Sequence, residues 1–328
     1  NTFNVFRDVK EEGDMSYKSG NTAIATVSSE GVVTGQNAGY TTVVVNKVGT
    51  NYSSIAQIVV LPDGVNIEPM ALTCGSHTTV LKADGTVWAY GVNSSYELGD
   101  GTSVTKDIPV QVKFPEGIVI TQIAVGNNHN LALDTNGNVW GWGSNSNYCL
   151  AGKTSSSPRQ LSLSRIKKIA ANNYQNMALT EDGYVYVWGY NSNGELGTRT
   201  YEIIKTPTLL PYVNEIIDIS LGTNHTLLLT SNGKVLSTGL NNHGQTAKEV
   251  GKSNTFEEIP LNDLIGEISA GGNHSVLLTV DGDVYTFGYN INGQLGIGTT
   301  TDVTVPTKLS GLPNIMKVSA GNNQTIIL

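Results

Sequence analysis

Charge is scarce in this chain. Only 14% of its 328 residues are Asp, Glu, Lys or Arg, and 19 basic residues face 27 acidic ones, a formal net charge of −8. A phosphate-binding face needs a surplus of Lys and Arg, so the balance argues against nucleic acid as a partner. No apolar run reaches the ~18 residues of a membrane helix, so no membrane insertion is expected. The opening segment Asn1-Thr-Phe-Asn-Val-Phe-Arg7 has neither the basic start nor the apolar centre of a signal peptide, and it lacks an initiator Met. The chain therefore reads as a processed mature protein or as a piece of a longer one. Cysteine is almost missing. Cys74 and Cys149 lie far apart with no metal-ligand spacing, and they read as free buried thiols rather than as a disulfide. There is no Gly-rich phosphate loop, nucleophile elbow or Cys/His cluster. No catalytic residue, cofactor or metal is assigned.

What the chain does have is 37 Gly and one unit written repeatedly. Residues 77–91, 129–143, 175–189, 225–239 and 274–288 align without gaps, and a sixth copy begins at Gln324. The lead residue falls at 77, 129, 175, 225, 274 and 324, so the spacings are 52, 46, 50, 49 and 50. A fixed period of this size marks a repeat architecture in which each copy is one supersecondary unit. After the lead residue comes a short apolar run, as in Leu131-Ala-Leu133 and Leu227-Leu-Leu229, which reads as a strand covered on both faces. An Asp-Gly or Asn-Gly pair follows, with its glycine at Gly85, Gly137, Gly183, Gly233 or Gly282, and signals a tight hairpin. The return strand starts with Val at 87, 139, 185, 235 and 284 and closes on Gly at 91, 143, 189, 239 and 288. An Asn-rich turn and a variable loop lead to a last short strand after Pro, at 109–112 or 306–309. A four-stranded sheet of about 50 residues cannot bury both faces alone, but radial packing of several does. The fold class expected is all-β: a propeller of five full repeats and a partial sixth over residues 70–328.

His77, His129, His225 and His274 occupy the same lead position, with Gln175 and Gln324 in the other copies. A catalytic base is singular, whereas a residue repeated in register has a repeated job. The expected job is an imidazole bonded to neighbouring backbone, with the preceding glycine letting the chain turn. His243 lies outside this register and reads as a solvated loop residue. Glu97 and Glu195 are replaced by Gln245 and Gln294 in other copies, which argues against acid–base work. The Asn-rich turns lack the Asp series and terminal Glu of a calcium loop. Residues that differ between copies at a fixed loop position are the better guess for a tuned surface. One position reads Val92, Ser144, Tyr190, Leu240 and Tyr289, and another reads Tyr96, Tyr148 and Gly194. Tyr is a favoured interface anchor, so Tyr96, Tyr148, Tyr174, Tyr190, Tyr201 and Tyr289 are the candidate partner-binding residues. The alternative is that they cap blade edges.

Two resemblances add to this reading. The pattern Ile-Ala-x-Gly-x-x-His-x-x-x-Leu-x-x-x-Gly-x-Val-x-x-x-Gly-x-Asn-x-x-Gly-x-Leu-Gly, carried best by residues 122–150 and 267–296, resembles the regulator of chromosome condensation repeat. That family forms β-propellers, usually of seven blades, and its best-known activity is nucleotide exchange on a small nuclear GTPase, with nucleosome binding beside it. In that branch a hairpin inserted on the propeller face does the work. The largest copy here exceeds the smallest by 52 against 46 residues, so no such insertion fits and the activity is not carried over. Residues 1–61 have another grammar, of short β-branched runs broken by Glu30-Gly31 and Ala38-Gly39, which reads as a small β-sandwich. Residues 21–45 resemble the group 2 bacterial immunoglobulin-like domain, whose opening strands would have to fit into residues 1–14. The segment 56–65 could be the last strand of that domain or an outer blade strand, and the domain needs it. Residues 62–69 read as a linker. Such domains occur on surface and secreted bacterial proteins, so that resemblance implies an extracellular or cell-surface setting. The expected function is a non-catalytic adhesion or binding module, not an enzyme, whose partner is a protein or a surface polysaccharide. Two alternatives remain open. One is a secreted inhibitor, since β-lactamase-inhibitory propellers resemble this repeat. The other is a self-associating surface protein whose ragged ends exchange strands between subunits.

Overall fold

A computed structural model of the chain describes residues 2–4, 15–37, 39–49, 53–60, 71–74, 77–82, 84–313 and 315–328. The segment expected to be a linker, 62–69, and the family's opening strands within 5–14 lie outside the described residues. Among the described residues, strands and turns dominate, and the one helical piece is a 3-10 turn at Ser146–Tyr148.

Five four-stranded antiparallel sheets follow one another along the chain, and a two-stranded sheet, Val318–Ala320 with Thr325–Ile327, ends it. The second sheet shows the pattern. Ile120–Val125 is innermost, His129–Asp134 and Val139–Gly143 follow, and Ser155–Gln160 is outermost. The innermost strands of the other blades are Ala71–Cys74, Ile166–Asn172, Ile216–Leu221, Ile265–Ala270 and Val318–Ala320. The lead residue is the first residue of its strand in all five full copies, not the residue before it.

Apolar residues on both sides of each sheet pack against the next sheet, which is why the strands are not alternating. One cluster joins Leu81, Val87 and Leu98 of the first blade to Ile120, Ile123 and Trp142 of the second. The same arrangement recurs between the second and third blades, where Leu131 and Leu133 meet Ile169 and Trp188. It continues through the remaining pairs, ending with Val276 and Leu278 against Ile315 and Val318. Trp142, Trp188 and Phe287 are fully buried at one repeated position. Truncating such a ring to Ala costs ~3–5 kcal/mol.

Two details differ from the sequence reading. The outermost strands begin before the proline: they are Lys106–Gln111, Ser155–Gln160, Ile204–Leu209 and Val303–Lys308, with Pro109, Pro158, Pro207 and Pro306 inside them. Each proline sits where the register with the neighbouring strand shifts. An edge strand tolerates this because the missing N–H faces away from the ladder. The hairpins also differ. Gly85, Gly137, Gly183, Gly233 and Gly282 have φ between 75° and 89°, but no preceding Asp or Asn is left-handed. The Gly85 N–H donates to the Lys82 carbonyl and the Gly137 N–H to that of Asp134. This is the three-residue hairpin closed by a left-handed glycine, not the two-residue turn that needs two positive φ values.

In the N-terminal part, Thr2–Asn4, Val32–Gly35 and Ala25–Val27 form one three-stranded sheet. Met15–Ser19, Gly39–Lys47 and Ser53–Val60 form another. Ala25 and Val33 of the first share a core with Val43 and Val45 of the second, so this is a small two-layer β unit. Ser53–Val60 pairs along Gly39–Lys47, so it belongs to this unit and is not an outer blade strand.

Candidate functional site

The strand order sorts the connections into two ends. The loops from first to second strand and from third to fourth lie at one end. The Gly-closed hairpins and the links between blades lie at the other. Tyr174 is in a first-to-second loop, and Tyr96, Tyr148, Tyr190, Tyr201 and Tyr289 are in third-to-fourth loops. All six candidate tyrosines therefore come to one end of the propeller, and the hairpin glycines to the other.

The lead histidines lie beneath this end. His77 Nε2 is 2.9 Å from Asn130 Oδ1, His129 Nε2 is 2.7 Å from Asn176 Oδ1, His225 Nε2 is 2.9 Å from Ser275 Oγ, and His274 Nε2 is 3.0 Å from Thr325 Oγ1. Each partner is a side chain in the next blade, not the local backbone the sequence suggested. That partner in turn donates back to the first blade: Asn130 Nδ2 to the Glu97 carbonyl (2.8 Å), Asn176 Nδ2 to that of Cys149 (3.0 Å) and Ser275 Oγ to that of Gln245 (2.7 Å). Trp142 and Trp188 add their indole N–H to the same carbonyls of Glu97 and Cys149. The histidine is thus one link in a staple between blades. Burial holds all four imidazoles neutral, pushing His129 and His274 down to about 4 and His225 to about 3, with His77 also lowered.

The glycine three residues earlier has a different reason from the one expected. Gly126, Gly222 and Gly271 are not left-handed. A Cβ on them would lie 2.1–2.4 Å from Cε1 of His129, His225 and His274, so the ring takes the space a side chain would fill. Asn172 stands at this position before Gln175, but Gly321 precedes Gln324 and Cys74 precedes His77, so the pairing of glycine with histidine holds in three copies.

Glu97, Glu195, Gln245 and Gln294 each accept the backbone N–H of the residue two before them, at 2.7–3.0 Å. That backbone N–H needs only an acceptor oxygen, so carboxylate and amide interchange, while the second oxygen of Glu97 and Glu195 accepts from Asn128 Nδ2 (3.0 Å) and Gln175 Nε2 (2.9 Å). Burial raises the Glu195 carboxyl above its ordinary range. Asn93, Asn191, Asn241 and Asn290 clamp their own loops, accepting from a residue five positions on and donating to carbonyls beyond it. Cys149 is a buried free thiol whose pKa burial pushes up to about 12, while the Cys74 side chain lies outside the described residues. Among the described residues no three or more His, Cys, Asp or Glu gather where a metal could be held.

The tyrosines are where the copies diverge. Tyr96 and Tyr148 have φ of 68° and 61°, at the position held by left-handed Gly194, Gly244 and Gly293 in the other blades. A left-handed non-glycine residue costs ~1–2 kcal/mol, and such strain concentrates at functional positions. Lys205 Nζ lies 5.3 Å from the Tyr148 ring and Lys252 Nζ 4.3 Å from the Tyr201 ring, each across a seam between blades. The Tyr190 hydroxyl bonds Ser192. His243, expected to be merely solvated, stacks edge-on against Tyr289 at 4.6 Å and meets Asp302 of the next blade at 2.7 Å. Sequence reasoning missed Val104, Val250 and Ile291, which are exposed in third-to-fourth loops at the same end. It also missed the cavity at the centre of that end, which holds about 490 Å3 and is lined by the residues just before each lead residue, among them Asn127, Asn173, Thr223 and Asn322. Their only sequence signal is a place between two repeated landmarks.

The sequence pattern of the RCC1-like domain matches residues 19–327, which begins inside the N-terminal β unit and runs to the last strand. The Protein RCC2 homolog of Xenopus laevis is 28% identical over 215 residues, covering 56% of this chain and 42% of that protein. The ultraviolet-B receptor UVR8 of Arabidopsis thaliana is 31% identical over 204 residues, covering 60% of this chain and 45% of that one. The chain thus spans less than half the length of these relatives. The crystal structure of human WBSCR16 superposes with a TM-score of 0.71 at 21% identity, over 89% of this chain and 85% of that one. Prp20p of Saccharomyces cerevisiae, described with its binding to Gsp1p and histones, superposes with a TM-score of 0.69 at 22% identity, over 89% and 80%. Both likenesses establish the fold.

Proposed function

Because the chain belongs to the RCC1-like domain family, we propose that it is a non-catalytic recognition module that engages its partner through the loop end of the propeller. One observation carries the reading. The side chains that break the repeat, the six tyrosines with Val104, Val250 and Ile291, converge on one end, while the residues that keep the repeat are consumed in stapling blades. Tyr148, Tyr201, Val104, Val250 and Ile291 are exposed and Tyr96, Tyr174, Tyr190 and Tyr289 half-buried, and accessible aromatic and apolar groups on a rigid scaffold are the usual anchors of an interface. The strained tyrosines at 96 and 148 support the same end, because glycine serves that position in three other blades. The setting proposed is the bacterial cell surface or its exterior, with the N-terminal β unit as an immunoglobulin-like spacer. That part rests on the resemblance of residues 21–45 alone.

The test is retention of the fluorescently labelled chain on intact bacterial cells, read by flow cytometry. One variant carries Tyr174→Ser, Tyr190→Ser, Tyr201→Ser and Tyr289→Ser. Its control carries Val119→Ser, Tyr184→Ser, Leu264→Ser and Leu312→Ser, all exposed at the opposite end. Retention lost in the first and kept in the second is the expected result. Equal behaviour of the two sets overturns the assignment of the loop end.

A further inference from the structure

Resting on that reading, we infer that the central cavity of the loop end is a binding site for a neutral, polyhydroxylated ligand, a sugar or the end of a glycan. The cavity, of about 490 Å3, falls within the ~300–1,000 Å3 of ordinary small-ligand sites. Among the described residues no Asp, Glu, Lys or Arg lines it. Asn127, Asn172, Asn173, Thr223 and Asn322 do, together with the peptide groups of the repeated glycines. Among the described residues an anion meets no cation there, a cation no carboxylate, and an apolar ligand only Val125, Ala270 and Ala320. Amides and hydroxyls both donate and accept, which is the requirement each sugar hydroxyl presents, although Asn172 Nδ2 and Asn173 Nδ2 also donate to the carbonyls of Leu221 (3.0 Å) and Thr223 (3.4 Å).

The wall is built, not fluid. The Asn127 N–H donates to the Asn173 carbonyl (2.8 Å), Asn173 Nδ2 to that of Thr223 (3.4 Å), the Thr223 N–H to that of Gly271 (3.2 Å) and the Gly272 N–H to that of Gly321 (3.1 Å). Each loop is thus tied to the next, forming a collar of five linked loops along the wall of the cavity. Asn173 sits in this collar at φ 43°, a left-handed conformation held by its neighbours. A collar fixed before binding spares the ligand the cost of ordering it. Charges do occur deeper, on the innermost strands, but there Lys168 pairs with Asp218, and Glu267 lies in the fields of Lys317 and Lys168. A peptide, the other neutral polar occupant, needs side-chain pockets that this lining does not offer.

The experiment is titration calorimetry of the whole chain with maltotriose, cellotriose, chitotriose and mannotriose. Sialyllactose and a sulfated disaccharide serve as charged comparators and triglycine as a peptide comparator. Thr223→Trp fills the cavity, and Thr223→Lys places a charge in it at smaller volume. Both are used at conditions where their thermal midpoints match the parent chain. The expected result is saturable binding of at least one neutral trisaccharide, weakened about tenfold or more by either substitution. Binding to none of them at millimolar concentration, preference for the charged sugars or triglycine, or binding indifferent to both substitutions overturns the inference. Cell retention that still depends on Tyr174, Tyr190, Tyr201 and Tyr289 while no sugar binds sinks the cavity and leaves the loop end standing. Sugar binding with retention indifferent to those tyrosines does the reverse.

Discussion

Mild acid should weaken this propeller, and the four lead histidines set the window. A histidine whose folded pKa lies below its unfolded value contributes stability that is complete above the unfolded pKa and is lost as pH falls toward the folded one. The unfolded value is 6.5, and the folded values are about 4 for His129 and His274 and about 3 for His225. The window is therefore pH 6.5 down to about 4 for His129 and His274 and down to about 3 for His225. At pH 5 each of the three should have lost ~2 kcal/mol, from 1.36 kcal/mol per unit, or ~6 kcal/mol together, with His77 adding in the same direction. That is comparable to the ~5–15 kcal/mol that holds a typical protein together. Glu195 and Glu267 act with the opposite sign, because burial raises their folded pKa, and they offset part of the loss. Asp100 and Asp134 are depressed below 3.8, so their contribution fails only in stronger acid. The assay is urea denaturation at pH 7 and pH 5 for the parent chain and for His225→Gln, a residue the repeat already uses at 175 and 324. The variant should be weaker at pH 7 yet lose ~2 kcal/mol less on acidification, a comparison from which the carboxylates cancel. If the parent is as stable at pH 5 as at pH 7, or the variant keeps the parent's full pH loss, the staple histidines are not buried and neutral as described.

Three further expectations concern single positions. Gly126→Ala puts a Cβ 2.1 Å from the His129 ring and should cost ~1–3 kcal/mol or more in urea denaturation; no loss of stability would show that the ring does not fill that space. Tyr96→Gly should stabilise the fold or leave it unchanged, by up to ~1–2 kcal/mol from relief of the left-handed strain, while weakening cell retention; a clear loss of stability would show that the ring is a structural cap. Cys149, buried with its pKa pushed up to about 12, should resist a thiol reagent in the native chain and react at once in urea; rapid native labelling at this residue would contradict the packing of its loop.

The repeat was legible because it is local. A lead residue, an Asp-Gly or Asn-Gly pair and a closing glycine recur in register, and each encodes a strand or a turn within a few residues of itself. From them followed the sheets, their hairpins and the interchange of Glu with Gln. What the sequence could not decide was anything set between blades. His129 and its partner Asn176 are 47 residues apart, so local reading gave the imidazole to its own backbone and gave Gly126 to a turn. The same separation hid the seat of His243 on Tyr289 and Asp302, and the packing of Lys205 and Lys252 on rings of the preceding blade. The tyrosines were chosen because they break the repeat, but only the strand order brings them to one end. The cavity belongs wholly to tertiary structure: its walls are short loops from five blades, each unremarkable alone, and it exists because radial packing leaves a space on the axis where no single sheet can reach.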